Sequence, residues 1–219
     1  MNSPLIVDYY SDVLCVWAWV AQRRIDELNK NLGNKIDIKY HYLDVFGDAV
    51  NKIPTQWINR GGFEGFSNHV IESASLYEDA PVNKNIWSKI RPSSSANPHL
   101  VLKAIELSYS SQRSIELALK FRQAFFIDAQ DISNIDVLYS LINQAGMDSV
   151  EVNKAILDGR AMAALMGDYQ QAKTLGLKGS PTYIINNGRQ ILYGNVGYRV
   201  LLANIEELLK KPISEASWC

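Results

Sequence analysis

The chain has 219 residues, with 22 Lys and Arg against 23 Asp and Glu, so its formal net charge is −1. A composition of 47% apolar and 21% charged residues excludes a disordered or collagen-like chain. The near-zero charge argues against a nucleic acid partner, and the lack of an apolar run of ~20 residues argues against a membrane partner. The length predicts one large domain, or one domain with a large insertion.

The numbers and spacing of the cysteines and histidines indicate the redox compartment and whether a metal site is expected. Cys15 and Cys219 are the two cysteines, which excludes a disulfide scaffold and indicates a reducing compartment. His41, His69 and His99 have no metal-ligand spacing to one another or to a cysteine, so we expect structural histidines and no metal site. The N-terminal residues show neither a basic start nor a long apolar core, so we expect a cytoplasmic protein.

The beginning of the chain predicts a βαβ unit. Residues 5–10 form a short apolar run rich in β-forming residues, typical of a buried strand. From Val16, apolar residues recur at helical spacing up to Gly33, and residues 36–43 then largely alternate as a second strand does. Two strands joined by a helix are expected to lie parallel.

The middle of the chain, from about Pro54 to Gly176, predicts helices and no strands. The stretch 61–95 is the least regular, and we expect one helix and loops there. Helix starts are predicted at Asn97 with Pro98 in the first turn, at Ser114, at Asn134 and at Ser149. The last helix of this block carries an apolar stripe of Met162, Leu165, Met166, Tyr169 and Ala172.

After Gly176 the apolar period returns to two. Residues 182–186 and 190–193 predict two strands joined at Asn187–Gly188 by a hairpin turn. A final helix is predicted over the apolar stripe that ends at Leu209.

Cys15 lies between the end of the first predicted strand and the first turn of the helix. Unpaired backbone N–H groups and the positive end of the helix dipole favour a thiolate at such a position. A buried structural cysteine is the alternative. We therefore predict a reactive thiol with a pKa below the free value of roughly 8.5, although the charge of nearby Asp12 would act in the opposite direction.

Gly179-Ser180-Pro181-Thr182 directly precedes the third strand. A proline is tolerated at the first residue of a strand because no ladder donor is lost there. It can equally mark a cis peptide bond, which about one X-Pro bond in twenty adopts. On the residues alone, the strand start is the simpler interpretation.

Together these features resemble the thioredoxin fold, and the helical insertion resembles its DsbA-type branch. The segment Asp12-Val-Leu-Cys15-Val-Trp-Ala18-Trp is similar to the CPWC-like motif of FrnE-type oxidoreductases. It is also similar to the D-x-L-S-P-[YF]-S-[WY] motif of kappa-class glutathione transferases and 2-hydroxychromene-2-carboxylate isomerases. The resemblance covers essentially the whole chain and implies that Pro181 follows a cis bond and faces the catalytic residue.

The chain departs from the oxidoreductase motif at the second thiol. Dithiol exchange needs an attacking and a resolving sulfur, and Ala18 occupies the resolving position three residues after Cys15. Cys219 is the other thiol, at the end of a tail after Pro212. An internal disulfide cycle within the motif is thus excluded. Cys15 can still react alone with glutathione as the resolving thiol, or take the place that serine has in the transferases.

The resemblance also implies contacts for a bound thiol or peptide. It assigns main-chain recognition to Ser180. Trp17 and Ala18 are expected in the rim beside Cys15, with a place in the apolar core as the alternative for Trp17. Relatives hold the γ-glutamyl end of glutathione with a G-x-D-R-like turn, where this chain has Gly194-Asn195-Val196-Gly197-Tyr198-Arg199. The acidic residue is missing, and Asn195 is the candidate in its place, with ordinary turn chemistry as the alternative.

We therefore expect an α/β fold of the DsbA-like thioredoxin type. Residues 1–53 and 177–211 are predicted to form the thioredoxin-like domain, 54–176 the helical insertion and 212–219 a tail. The leading function is a thiol-disulfide oxidoreductase with Cys15 as sole catalytic residue and glutathione or another small thiol as partner. Alternatives are a glutathione-dependent transferase or isomerase, and a protein that binds peptides without turnover. Small-molecule, peptide or protein disulfides are the expected substrates, and a homodimer is left open.

Overall fold

A computed structural model gives the fold of residues 3–210. Cys219, like the rest of the predicted tail, lies outside these described residues. Within them, no helix is both long and apolar enough to cross a bilayer.

Within these residues, four strands form one mixed sheet. They are β1 (Leu5–Ser11), β2 (Ile36–Tyr42), β3 (Thr182–Ile185) and β4 (Gln190–Tyr193). Their spatial order is β2-β1-β3-β4, with β1 parallel to β2 and antiparallel to β3, and β3 antiparallel to β4. The predicted parallel βαβ unit and the predicted hairpin are both present.

Nine α-helices accompany the sheet in the described part of the chain. They are α1 (Val16–Leu32), α2 (Ala49–Gln56), α3 (Gly62–Ala74), α4 (Ala96–Ser108), α5 (Ser111–Phe126), α6 (Ile135–Gln144), α7 (Ser149–Leu157), α8 (Arg160–Thr174) and α9 (Tyr198–Leu209). All the helices from α2 to α8 lie between β2 and β3, so the β-α-β, helical, β-β-α order matches the prediction. One continuous apolar core joins the sheet, α1 and the helices of this block.

Two predicted helix starts are wrong. The fourth helix begins at Ala96 with Ser95 as N-cap, two residues earlier than a cap at Asn97 would give, although Pro98 is in the first turn as predicted. The fifth begins at Ser111 with Ser110 as N-cap.

The apolar stripe predicted for α8 is only partly buried. Leu165 and Ala172 are in the core, whereas Met162 and Met166 are each 45% exposed. The helix period was correct, but the face that it buries is narrower than the stripe.

Candidate active site

The side chain of Cys15 is placed by the turn that joins β1 to α1. Cys15 is the N-cap of α1, and its backbone N–H donates to the Asp12 carbonyl at 3.1 Å. The residue is 6% exposed, and its thiol donates to the main-chain carbonyl of Ser180 at 3.2 Å. The predicted helix start is therefore correct, and the sulfur faces the segment that precedes β3.

That segment is the turn at Ser180 and Pro181. The peptide bond between these two residues is cis. The Asp12 backbone N–H donates to the Ser180 hydroxyl at 2.9 Å, which fixes the turn against the end of β1. The backbone N–H of Ser180 has no hydrogen-bond partner within residues 3–210. A free amide beside a thiol can bind the main chain of an extended ligand.

Asp12 organises the loop that carries Cys15. Its fully buried carboxylate accepts hydrogen bonds from the Phe46 N–H at 2.8 Å, the Ser95 hydroxyl at 2.7 Å and the Leu14 N–H at 2.9 Å. Burial raises the pKa of Asp12 to about 6, with these three donors and the Arg122 charge acting in the opposite direction. The carboxylate thus connects three chain segments directly under the site.

His99 holds the same loop from α4. The Val13 N–H donates to His99 Nε2 at 3.2 Å, which leaves the ring proton on Nδ1, 3.1 Å from the Tyr169 hydroxyl. Burial lowers the pKa of His99 well below its usual value. The ring is therefore neutral, and its contact with Asp12 at 3.8 Å is not an ion pair.

A buried cation, Arg122 of α5, lies on the other side of the end of β1. Its guanidinium donates to the Ser11 hydroxyl at 2.9 Å and to the Gln22 side-chain carbonyl at 3.1 Å, and it is fully buried. Its charge acts to lower the pKa of Asp12. Arg122 therefore fixes the strand that leads into the site and supplies positive potential there.

The predicted low pKa of Cys15 is wrong. Burial raises the pKa of this thiol above the ordinary value, and the negative charge of Asp12 adds to the effect. The Ser180 side chain and the backbone N–H groups of Ala18 and Trp17 favour the thiolate but offset only part of the desolvation. The helix start supplies the expected amides, and the cost of a buried charge exceeds their benefit.

Two other predicted site residues, Trp17 and Ala18, lie in the first turn of α1. Trp17 is half-buried and packs edge-to-face against the Tyr77 ring, with 6.5 Å between the ring centroids. Ala18 is fully buried, and no second cysteine occurs within residues 3–210. The site therefore contains one thiol and an apolar wall.

Asn195 is not in the cluster around the thiol. Its carbonyl oxygen accepts from Arg24 Nη1 at 2.5 Å, and its amide donates to the Tyr77 hydroxyl at 2.7 Å. Arg24 also donates to the Val196 carbonyl. Because the Tyr77 ring lies between Trp17 and Arg24, Asn195 belongs to a polar continuation of the site along α1.

Sequence reasoning missed three residues that shape the site: His99, Ser95 and Arg122. Each is distant in the sequence from Cys15 and reaches the site from α4 or α5, so no local spacing indicated it. Arg122 was the most detectable, because it is a lone charge among the apolar residues of Phe121-Arg-Gln-Ala-Phe-Phe126. Within residues 3–210, no group of His, Cys, Asp or Glu side chains is arranged to hold a metal ion.

Comparison with known proteins gives the same fold. Residues 6–206 match the model of the DSBA-like thioredoxin domain family. The ClpXP adapter protein SpxH of Halalkalibacterium halodurans is 24% identical over 95% of this chain and 69% of that protein.

Solved structures with similar folds have diverse chemistry. A Nitrosomonas europaea protein assigned as a protein disulfide isomerase has a TM-score of 0.77 at 13% identity, with 95% of this chain and 99% of that chain covered. The cytosolic disulfide reductase DsbM of Pseudomonas aeruginosa has a TM-score of 0.71 at 19% identity, covering 93% and 100%. A 2-hydroxychromene-2-carboxylate isomerase has a TM-score of 0.67 at 15% identity, covering 97% and 100%.

Proposed function

Because the chain belongs to the DSBA-like thioredoxin domain family, we propose that it exchanges disulfides through Cys15 alone, with glutathione as the second thiol. The observation that carries this proposal is the lone thiol at 3.2 Å from the Ser180 carbonyl, beside the free Ser180 N–H. An extended thiol compound, such as the cysteinyl part of glutathione, can pair its main chain with Ser180 and bring its sulfur to Cys15.

The proposed reaction has two exchanges that balance without another oxidant. Cys15, as thiolate, attacks the glutathione sulfur of a mixed disulfide, and the other sulfur leaves with a proton as a free thiol. A second glutathione thiolate then attacks the Cys15–glutathione disulfide and releases oxidised glutathione. Ala18 cannot resolve the intermediate, so the external thiol is required in every cycle. Such a cycle needs a reducing, glutathione-containing compartment, which is consistent with the cytoplasm.

A related fold has been solved with this ligand, which supports the choice of partner. The structure of DsbM with GSH has a TM-score of 0.68 at 18% identity to this chain. For this chain the pairing with glutathione is part of the proposal.

The raised pKa of Cys15 favours a second candidate function. A thiol that stays protonated can donate a hydrogen bond to the thiolate of bound glutathione, as the serine hydroxyl does in the resembling transferases and isomerases. Cys15 would then stabilise the nucleophile without forming a covalent bond. The substrate would be a small electrophile or an isomerisable aromatic compound.

Substitution of Cys15 separates the two candidates. We expect the wild-type protein to release thiol from a glutathionylated peptide in the presence of glutathione, and both Cys15→Ser and Cys15→Ala to be inactive. If Cys15 instead acts as a hydrogen-bond donor to the glutathione thiolate, the protein should conjugate glutathione to an electrophilic chloronitrobenzene. Cys15→Ser should then retain this conjugation activity, and Cys15→Ala should lose it. Cys219→Ser is the matched control. Intact-mass analysis in the Cys219→Ser background, after incubation with oxidised glutathione, should show one adduct when Cys15 is present and none on either Cys15 variant.

Absence of both reactions would favour the third candidate, peptide binding without turnover. The similarity to an adapter protein supports keeping this candidate. In that case the Ser180 amide would be the recognition element and the thiol a buried structural group.

A further inference from the structure

The outer edge of β2 is an open strand edge. β2 is the first strand in the sheet order, and the Leu43 N–H just after it donates back to the Ser11 carbonyl of β1. Main-chain groups alternate in direction along a strand, so Ile38 and Tyr40 direct their N–H and C=O groups away from β1. The Tyr42 N–H, in the same phase, indeed points outward.

The two ends of this edge are capped, and the stretch between them is not. The Ile36 N–H donates to the Gly33 carbonyl, and the Tyr42 N–H donates to Asp168 at 3.0 Å. The N–H and C=O groups of Ile38 and Tyr40 have no hydrogen-bond partner in the described part of the chain. Unpaired N–H and C=O groups on an edge strand are a template for another strand.

A groove of about 740 Å³ lies along this stretch, between α1 and α5. Its lining includes Ile38 and Tyr40 of the strand and Ile115 and Leu119 of α5, but neither Cys15 nor Ser180. The strand residues that line it, 36–41, span roughly 20 Å at ~3.3 Å per residue. The groove therefore has an apolar wall, an unsatisfied main chain and the length of one short strand.

The charged side chains that line the groove are mostly acidic. Asp26, Asp37, Glu106 and Glu116 line it, together with Lys39 and with His41, whose ring pairs with Asp8 and Asp168. Two of these carboxylates are in ion pairs with residues outside the lining, Glu106 with Lys103 and Glu116 with Arg113. Asp26 accepts a hydrogen bond from the neutral Gln22 side chain. Asp37 has no side-chain partner within residues 3–210. Asp26 of α1 and Asp37 of β2 are thus carboxylates of the groove lining that are in no ion pair within residues 3–210.

We propose that the edge of β2 binds an extended, lysine- or arginine-bearing segment of another protein as an added strand. The free N–H and C=O groups of Ile38 and Tyr40 pair with the main chain of that segment, and Asp26 and Asp37 receive its basic side chains. A second copy of this chain fits less well, because a groove between two helices admits one strand but not a sheet with its own flanking helices. The inference is independent of the chemistry at Cys15.

Peptides of defined pattern test the proposal. We expect a fluorescein-labelled ten-residue peptide of alternating Val and Lys to bind, with an affinity that falls as salt is raised. The matched Val–Glu peptide should bind at least about tenfold more weakly. Equal binding of both peptides, or no binding of the Val–Lys peptide at millimolar protein, overturns the proposal. Cys15→Ser should bind like wild type, which separates this result from any failure of the proposed function.

Main-chain pairing is tested separately from charge. Ile38→Pro removes an outward N–H but no bond to β1, and Ile38→Val is its matched control. We expect Ile38→Pro to weaken Val–Lys binding at least about tenfold and Ile38→Val to leave it unchanged. If Ile38→Pro does not fold, main-chain pairing is tested with two Val–Lys peptides, each N-methylated on one of the two alternate sets of backbone amides. Methylation of the set that faces β2 should abolish binding, and methylation of the other set should not. Equal binding of the two methylated peptides, or protein dimers that the peptide dissociates, would contradict the proposal.

Discussion

Cys15 combines a helix start, which favours its thiolate, with burial, which disfavours it. The amides of Trp17 and Ala18 face the sulfur, as a helix N-terminus requires, but only 6% of the residue is exposed. Desolvation of a full charge outweighs partial charges from two amides. The helix start can be read from the local sequence, whereas the burial of Cys15 depends on the tertiary fold. The direction of the pKa shift was therefore predicted wrongly.

The residue-scale prediction is a high midpoint for the reaction of Cys15. Because burial raises its pKa, the alkylation rate of the Cys219→Ser protein should rise with pH to a midpoint above that of a free cysteine, roughly 8.5. Asp12→Asn should lower this midpoint, since it removes the charge that opposes the thiolate. Alkylation of a short cysteine peptide under the same conditions is the reference. A wild-type midpoint below that of the peptide would show that the thiol is not desolvated in solution.

At the scale of elements, the strands and α1 could be predicted because their signals are local. The period of two in β2 and β3, the Asn187–Gly188 turn and the helical stripe of α1 are all read from neighbouring residues. The starts of α4 and α5 were misplaced where serine was available for long-range contacts: the Ser95 hydroxyl donates to Asp12, and Ser114 donates to the Leu102 carbonyl. The buried network below Cys15 could not be predicted for the same reason.

The geometry of α1 predicts that a second thiol would complete the motif. Ala18 follows Cys15 by three residues, about 4.5 Å along the helix axis, within the Cα separation that a disulfide spans. In the Cys219→Ser background, Ala18→Cys should form an intramolecular disulfide on mild oxidation and gain insulin reductase activity. Ala21→Cys is the matched control, because Ala21 is also fully buried and lies about 9 Å along the axis, too far to bond.

Two results of that experiment would contradict the site as described. If Ala18→Cys forms no disulfide although it folds, the side chains of the first turn do not converge. If the wild-type chain reduces insulin without glutathione, Cys219 acts as a resolving thiol.

At the scale of the whole molecule, His41 connects the sheet to the helices between β2 and β3. His41 Nε2 lies 3.0 Å from a carboxylate oxygen of Asp8 in β1, and Nδ1 lies 3.0 Å from a carboxylate oxygen of Asp168 in α8. The ring stacks on Tyr10 with 4.6 Å between the ring centroids. Lys103 of α4 contacts the second oxygen of Asp168 at 2.9 Å. Only the protonated imidazole can donate to both carboxylates at once. The two hydrogen bonds raise the pKa of His41, although burial and the Lys103 charge lower it.

This connection predicts that the protein loses stability as the pH rises above neutrality. A histidine with a raised folded pKa contributes stability that is full below its unfolded value of roughly 6.5 and is lost as the pH rises through the higher folded value. His41→Gln keeps one neutral donor but not the charge, so it should lower the free energy of unfolding by about 1–3 kcal/mol at pH 6 and by much less at pH 9. Asp12, whose pKa of about 6 changes stability at lower pH, is common to both proteins and cancels in the difference.

Urea titrations of wild type and His41→Gln at both pH values measure this difference, with the exposed His69→Gln as the matched control. An equal loss at pH 6 and pH 9 would mean that His41 bonds as a neutral ring and that the junction between sheet and helices does not respond to protonation.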